Sequence, residues 1–397
     1  MKATHAPLPA LGSLLILALA AAPAVTQEMV FDSELHDYRV VTVFEGLQDP
    51  WSMAFLPGGD MLITERIGNL RIAHDGVLHP DPIDGVPEVR YMGQGGLLDV
   101  ALHPDFASNQ LVYLSFSKPN ADGTEGTTAV VRGRLDGHSL VDVEEVFEAD
   151  AWSSSGSHFG SRLAFDPDGY LFITVGDRGV NPLSIPVEEN PAQDPSNHIG
   201  STIRLHADGS VPDDNPFVGQ AGYLPEIWSY GHRNPQGMAI HPATGEVWQT
   251  EHGPQGGDEL NLVLPGRNYG WPVIGYGVQY GGNQVHEGTH REGMEQPVTY
   301  WTPSIATSGL MIYTGDRFPE WNGHIFAGGL AGQQLHRIAL VDGENGWEVQ
   351  RMERRPLLFG VGRIRDVRQG PDGLIYVALD DRQGGGTTPI LRIEPLE

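Results

Sequence analysis

The sequence predicts an all-β protein, a six-bladed β-propeller that occupies residues 27–397 as a single domain. Three observations carry that prediction. One hairpin pattern recurs six times, each copy pairing two short apolar stretches across a proline-containing turn. Successive turn prolines stand roughly 50 to 75 residues apart, room for a four-stranded sheet and a loop or two. A strand-like stretch also stands near each end, Tyr38–Phe44 and Ile390–Ile393. The N-terminal strand can therefore close the last blade and remove its open edge. Two β-sandwiches of the same total length would show no single recurring hairpin.

Each copy rests on its own turn chemistry. The first runs from Trp51 to Glu65 around Pro57-Gly58-Gly59, and the second from Leu97 to Phe116 around His103-Pro104-Asp105. In the third, Arg162–Phe165 and Tyr170–Val175 flank Asp166-Pro167-Asp168-Gly169. There the proline presets one turn dihedral and the glycine accepts positive φ. The fourth, Gly237–Thr250, turns at Pro242-Ala243-Thr244-Gly245. The fifth, Gly309–Ala327, is looser around Pro319-Glu320-Trp321-Asn322-Gly323, and the sixth, Arg365–Ala378, turns at Pro371-Asp372-Gly373.

The start of the chain is of another kind. Lys2, an apolar run from Leu11 to Ala22 and then Ala22-Pro23-Ala24 read as a secretory signal peptide over residues 1–26. That places the mature protein in the periplasm or outside the cell. The apolar run is short for a bilayer span and no second one follows, so no membrane span is expected. A net charge of −27 argues against nucleic acid as a partner and favours solubility through self-repulsion. With no cysteine there is neither a disulfide nor a thiolate site. Stability must come from the core, from closure of the ring or from bound ions.

Aligning the hairpins also aligns polar residues. Gln94 stands ten positions before its turn proline, His158 nine before Pro167, and Arg233 nine before Pro242. Arg363 and Arg365 stand eight and six before Pro371. Demanding side chains thus recur at the start of the hairpin in four blades, a slot that propeller symmetry turns towards one end of the central channel. An isolated arginine is usually a surface ion pair. Three of them with Asn234 around one axial pocket imply an anionic ligand, because the guanidinium fork matches carboxylate or phosphate. No phosphate-cradling loop is present, which argues against a nucleotide. After the fourth hairpin, Glu251–Asn261 offers carboxylates and backbone carbonyls in a Gly/Pro loop, donors suited to calcium. His158, His232, His241 and His252 lack the paired spacing of zinc ligands.

Several motifs carry a specific resemblance: Gly93-Gln94-Gly95-Gly96, Gly156-Ser157-His158-Phe159-Gly160, Gly176-Asp177-Arg178-Gly179 and Gly231-His232-Arg233-Asn234-Pro235-Gln236-Gly237. Glu251-His252-Gly253-Pro254, Asn268-Tyr269-Gly270-Trp271-Pro272 and Arg363-Ile364-Arg365-Asp366-Val367 extend it in consistent order, from about Gln48 to Asp381. The chain resembles the soluble glucose/sorbosone dehydrogenases, above all the periplasmic aldose sugar dehydrogenases that use pyrroloquinoline quinone (PQQ). The resemblance implies C1 oxidation of an aldose to the lactone, with His158 as the general base and hydride passing to PQQ. It assigns Gln94, Asp177, Arg233, Asn234, Tyr280, Arg363 and Arg365 to the PQQ site. It further implies that the Gly253 and Pro254 carbonyls ligate the PQQ-linked Ca2+, and that Glu259 and the Tyr269 carbonyl hold a second one. Where relatives place a cofactor-contacting lysine, this chain has Gly329-Leu330-Ala331-Gly332. The electron acceptor is unidentified, and monomer and homodimer both remain open. The other readings are a calcium-dependent lactone hydrolase on a similar propeller and a non-enzymatic sugar-binding propeller. The arginines argue against the hydrolase.

Overall fold

The recurring hairpins become the inner halves of six sheets in the computed structural model, which describes residues 1, 29–344, 346–381 and 386–396. The signal-peptide reading lies outside the described residues, Met1 apart. Blade 1 is an antiparallel meander of Pro50–Phe55, Met61–Glu65, Asn69–His74 and Val77–Leu78. Blades 2 to 5 begin with Leu97–Leu102, Leu163–Phe165, Pro235–Ile240 and Thr307–Ile312, each continuing for three more antiparallel strands. Blade 6 joins Arg363–Gln369, Ile375–Asp380 and Thr388–Pro395 to the N-terminal strand Tyr38–Leu47, with Met29–Phe31 outermost. Val40 faces Ile393 across the seam, so the chain's two ends close one sheet. Two turns are less tight than the sequence suggests. Phe106–Asn109 forms a helical turn in blade 2, and Pro319–Trp321 a 3-10 turn in blade 5.

The first strands of neighbouring blades touch all the way round, blade 6 against blade 1 included, and so wall a central channel. Hydroxyls fasten this ring. Ser115 donates to the Ser161 carbonyl at 2.6 Å, Thr174 to Pro235 at 2.9 Å, Thr250 to Ser308 at 3.3 Å and Ser308 to Ile364 at 2.6 Å. Thr64 donates to the Leu98 carbonyl in the same way, and the Met53 N–H closes the circle on Asp366 at 3.1 Å. Each bond joins one blade to the next. At about 0.5–1.5 kcal/mol apiece they contribute fastening that a cysteine-free chain cannot take from disulfides.

The first strands share a second feature. In Pro50–Phe55, Leu97–Leu102 and Pro235–Ile240 the first four residues are buried and the last two half-exposed. The starts of these strands therefore lie in packed, polar surroundings, and their ends open into a wider space. Among the described residues no helix is long and apolar enough to cross a membrane.

Candidate active site

His158 ends the loop that leads into blade 3. Its Nδ1 lies 2.5 Å from Oδ1 of Asp177, which follows the second strand of the same blade. The pairing leaves Nε2 as the basic atom of the ring when Nδ1 carries the proton. Gly176 lets the two segments meet, since a Cβ there would lie 2.3 Å from the His158 carbonyl oxygen. The Gly/Ser-rich approach suggests an open imidazole, yet the side chain is only 14% exposed. Burial pushes the His158 ring below the usual imidazole range, and the Arg233 charge adds to this against the opposing pull of Asp177.

The groups that hold the His158 segment come from three blades. Gln94 Oε1 accepts the His158 N–H at 2.9 Å, while Asn234 Oδ1 accepts the N–H of Gly160 at 3.2 Å. Asp177 also takes the Trp271 indole N–H on Oδ2 at 2.7 Å and the Gly179 N–H on Oδ1 at 2.8 Å. Burial alone would raise this carboxyl, but His158 and Arg233 hold it below the ordinary carboxylate value. Arg233 lies 5.2 Å from the centre of the Trp271 ring and donates to the His252 carbonyl at 3.1 Å. Among the described residues its buried Nε has no hydrogen-bond partner.

A cavity of about 550 Å³ opens beside this cluster. Gln94, Arg363, Arg365 and Tyr280 line it with Trp51, Gln236, His252 and Asp380. Arg363 and Arg365 share one carboxylate, Oδ2 of Asp380, at 3.2 and 3.1 Å. Two cations on one anion leave positive charge facing the cavity. Arg66 of blade 1 lines it too, paired with Asp49. Leu330 and Ala331 also face it, so the segment without a lysine does sit at the cavity wall, while Arg66 supplies a cation that the hairpin alignment does not count. Tyr280 is 66% exposed and marks the rim.

The residues expected to hold two separate ions share one pocket. Gly253, Pro254, Glu259 and Tyr269 line one small pocket of about 20 Å³, joined by Glu251, and Pro254 faces the larger cavity as well. Asn261 donates to Glu251 at 2.9 Å and to Glu259 at 3.1 Å from the same Nδ2. Burial and the neighbouring Glu251 charge push the Glu259 carboxyl well above its ordinary value. A pocket of atomic size walled by oxygen donors and two crowded carboxylates fits a hard cation.

The model of the glucose/sorbosone dehydrogenase family matches residues 47–392. The chain belongs to this family. It is 43% identical to the aldose sugar dehydrogenase YliI of Escherichia coli, over 90% of this chain and 93% of that one. It is 28% identical to quinoprotein glucose dehydrogenase B of Acinetobacter calcoaceticus, over 89% and 87% of the two chains. The PQQ-bound aldose sugar dehydrogenase of Streptomyces coelicolor superposes with a TM-score of 0.72 at 30% identity, covering 94% of this chain and 99% of that one.

As a glucose/sorbosone dehydrogenase the protein is an oxidoreductase. Sequence reasoning assigned no role to three residues of this candidate site: Trp271, Asp380 and Arg66. Trp271 acts through a partner far along the chain, standing 94 positions from Asp177, while Asp380 meets its arginines 15 and 17 positions back. Glu251, read from the sequence as a carboxylate of the acidic loop, stands at the small pocket.

Proposed function

We propose that this protein oxidises aldoses at C1 to the lactone with PQQ and Ca2+, His158 serving as general base. The observation that carries the proposal is the His158–Asp177 pair, 2.5 Å apart and set beside a cavity with surplus arginine charge. PQQ is a planar tricarboxylic acid, and Arg363, Arg365 and Arg66 on the cavity wall suit its carboxylates, while Arg233 lines the small pocket beside it. When bound, PQQ supplies the two-electron acceptor, and calcium would add Lewis-acid polarisation. Asp177 holds the His158 ring through Nδ1, so that Nε2 is free to take the C1 hydroxyl proton. Enclosure keeps that ring neutral at neutral pH, the form a base requires. Gln94 and Asn234 fix the backbone on either side of it, and the arginines orient the acceptor. Pro254 belongs to both the cavity and the small pocket, and so would couple the cation to the acceptor site.

The test is dye reduction by purified protein across an aldose panel, with PQQ and Ca2+ added separately and together. Turnover is expected only with both. His158→Ala should keep the fold and PQQ binding while losing about 10²- to 10⁴-fold in kcat, the usual worth of a general base. Near wild-type turnover in that variant would remove His158 from this role.

A further inference from the structure

Arg178 lies next to Asp177, is 1% exposed and bonds to no carboxylate among the described residues. Its donors go to backbone carbonyls instead. Nε reaches Ala151 at 3.2 Å, Nη2 reaches Ser155 at 3.2 Å and Gly126 at 3.3 Å, and Nη1 bonds to Ser157. Three of these carbonyls belong to the loop that ends at His158. The guanidinium carbon also lies 3.5 Å from the centre of the Phe159 ring. Arg178 thus grips the residue before His158 and the residue after it, and its own N–H donates to the His158 carbonyl at 3.3 Å.

His158 needs such a grip. Its φ of 52° lies in the left-handed region, which residues other than glycine seldom occupy. The five residues before it, Ser153-Ser154-Ser155-Gly156-Ser157, bring only small side chains to enforce that conformation. Burying a cation without a counter-carboxylate is costly, and burial drives the Arg178 guanidinium down to about 9. The fold retains it where three of its guanidinium bonds converge on one loop.

We infer that Arg178 is a positioning residue for the reaction, holding His158 in a strained conformation through its carbonyl bonds and the Phe159 stack. The inference rests on the reading of His158 as the base. The charges that face His158 are Asp177, Arg233 and Arg178, with Arg90 beyond Arg178 and the neutral His252 beyond Arg233. Arg178 and Arg233 push the ring down and Asp177 pushes it up. Removing the Arg178 charge therefore raises the pH at which the base becomes neutral.

The experiment compares Arg178→Lys, Arg178→Gln, His158→Ala and the double variant His158→Ala/Arg178→Lys in the PQQ- and Ca2+-loaded enzyme. Circular dichroism establishes the folded fraction. Arg178→Lys keeps the charge and loses the fork, so kcat should fall about 10- to 100-fold. Its KM for aldose and its PQQ affinity should stay within about threefold of wild type. Arg178→Gln should in addition move the acidic limb of the kcat/KM profile to higher pH. In the His158→Ala background, Arg178→Lys should add almost nothing. A kcat within twofold of wild type in Arg178→Lys overturns the inference, as does a loss that only tracks the folded fraction. If Arg178→Gln does not fold, the kcat-against-KM split and the double variant decide. A near wild-type His158→Ala would instead bring down the base assignment itself, whatever Arg178 does.

Discussion

The two mouths of the central channel are built from opposite ends of the same six strands, and they share almost no chemistry. At one mouth the strand starts gather Gln94, Gln236, Arg363 and Arg365 around the cavity of about 550 Å³. At the other the strand ends gather Phe55, Leu102, Phe165, Ile240 and Ile312 around a larger one of about 670 Å³. The larger hollow is the less chemical. Size therefore does not find the site here; convergence of polar groups with surplus charge does. The hairpin turns explain the asymmetry. A tight turn fixes the strand ends for purely structural reasons, whereas the loops that reach the strand starts vary in length and can carry function.

Between the mouths lies a buried ionic layer. Arg162 bonds to Asp366 at 3.1 Å and to Asp99 at 3.2 Å, while Arg368 reaches the same two carboxylates at 2.9 and 3.3 Å. Arg162 also lies 4.3 Å from the centre of the Trp51 ring, and Trp51 lines the polar cavity. This layer separates the two hollows, and breaking it is expected to have the largest effect on stability. Arg162→Met leaves Asp99 and Asp366 buried with one cation between them, which should cost about 3–5 kcal/mol in urea unfolding. A loss below about 1 kcal/mol would mean that the layer does not hold the mouths apart.

The next effect belongs to the polar mouth alone. Arg363→Ala or Arg365→Ala should weaken PQQ binding about 10- to 100-fold, since a charge-assisted contact contributes about 1.5–3 kcal/mol. Folding should be nearly unaffected, because the remaining arginine still pairs with Asp380. Unchanged titrations in both variants would move the anionic ligand away from this mouth and erase the contrast.

Much of this arrangement was legible in the sequence because it repeats. The proline-containing turns marked the hairpins, and measuring back from four of those prolines brought Gln94, His158, Arg233, Arg363 and Arg365 to one end. What did not repeat stayed hidden. Trp271 reaches Asp177 from a long loop in blade 4, and Asp380 meets the arginines from the end of a strand that otherwise reads as core. Arg66 faces the cavity from a turn whose sequence resembles any other solvated turn. Tertiary placement decides such residues, and local pattern carries no signal for it.

The smallest expected effect tests the contrast from its other side. Leu102 ends the first strand of blade 2, half-buried on the apolar mouth and packed against the blade 1–2 core. Leu102→Ala removes three carbons from a partly exposed position, where full burial would cost 2–5 kcal/mol and this one should cost about 1. The melting temperature should drop by a few degrees, on the order of 2–4 °C for a chain of this size. PQQ affinity, KM for aldose and kcat should be those of the wild type. The strand starts are fastened to their neighbours by hydroxyl and carboxylate bonds, so a shift at the strand ends meets a rigid ring before it reaches Gln94 or Arg365. A fivefold change in PQQ affinity in Leu102→Ala would show that the ionic layer transmits strain, and the two mouths would then be one coupled device.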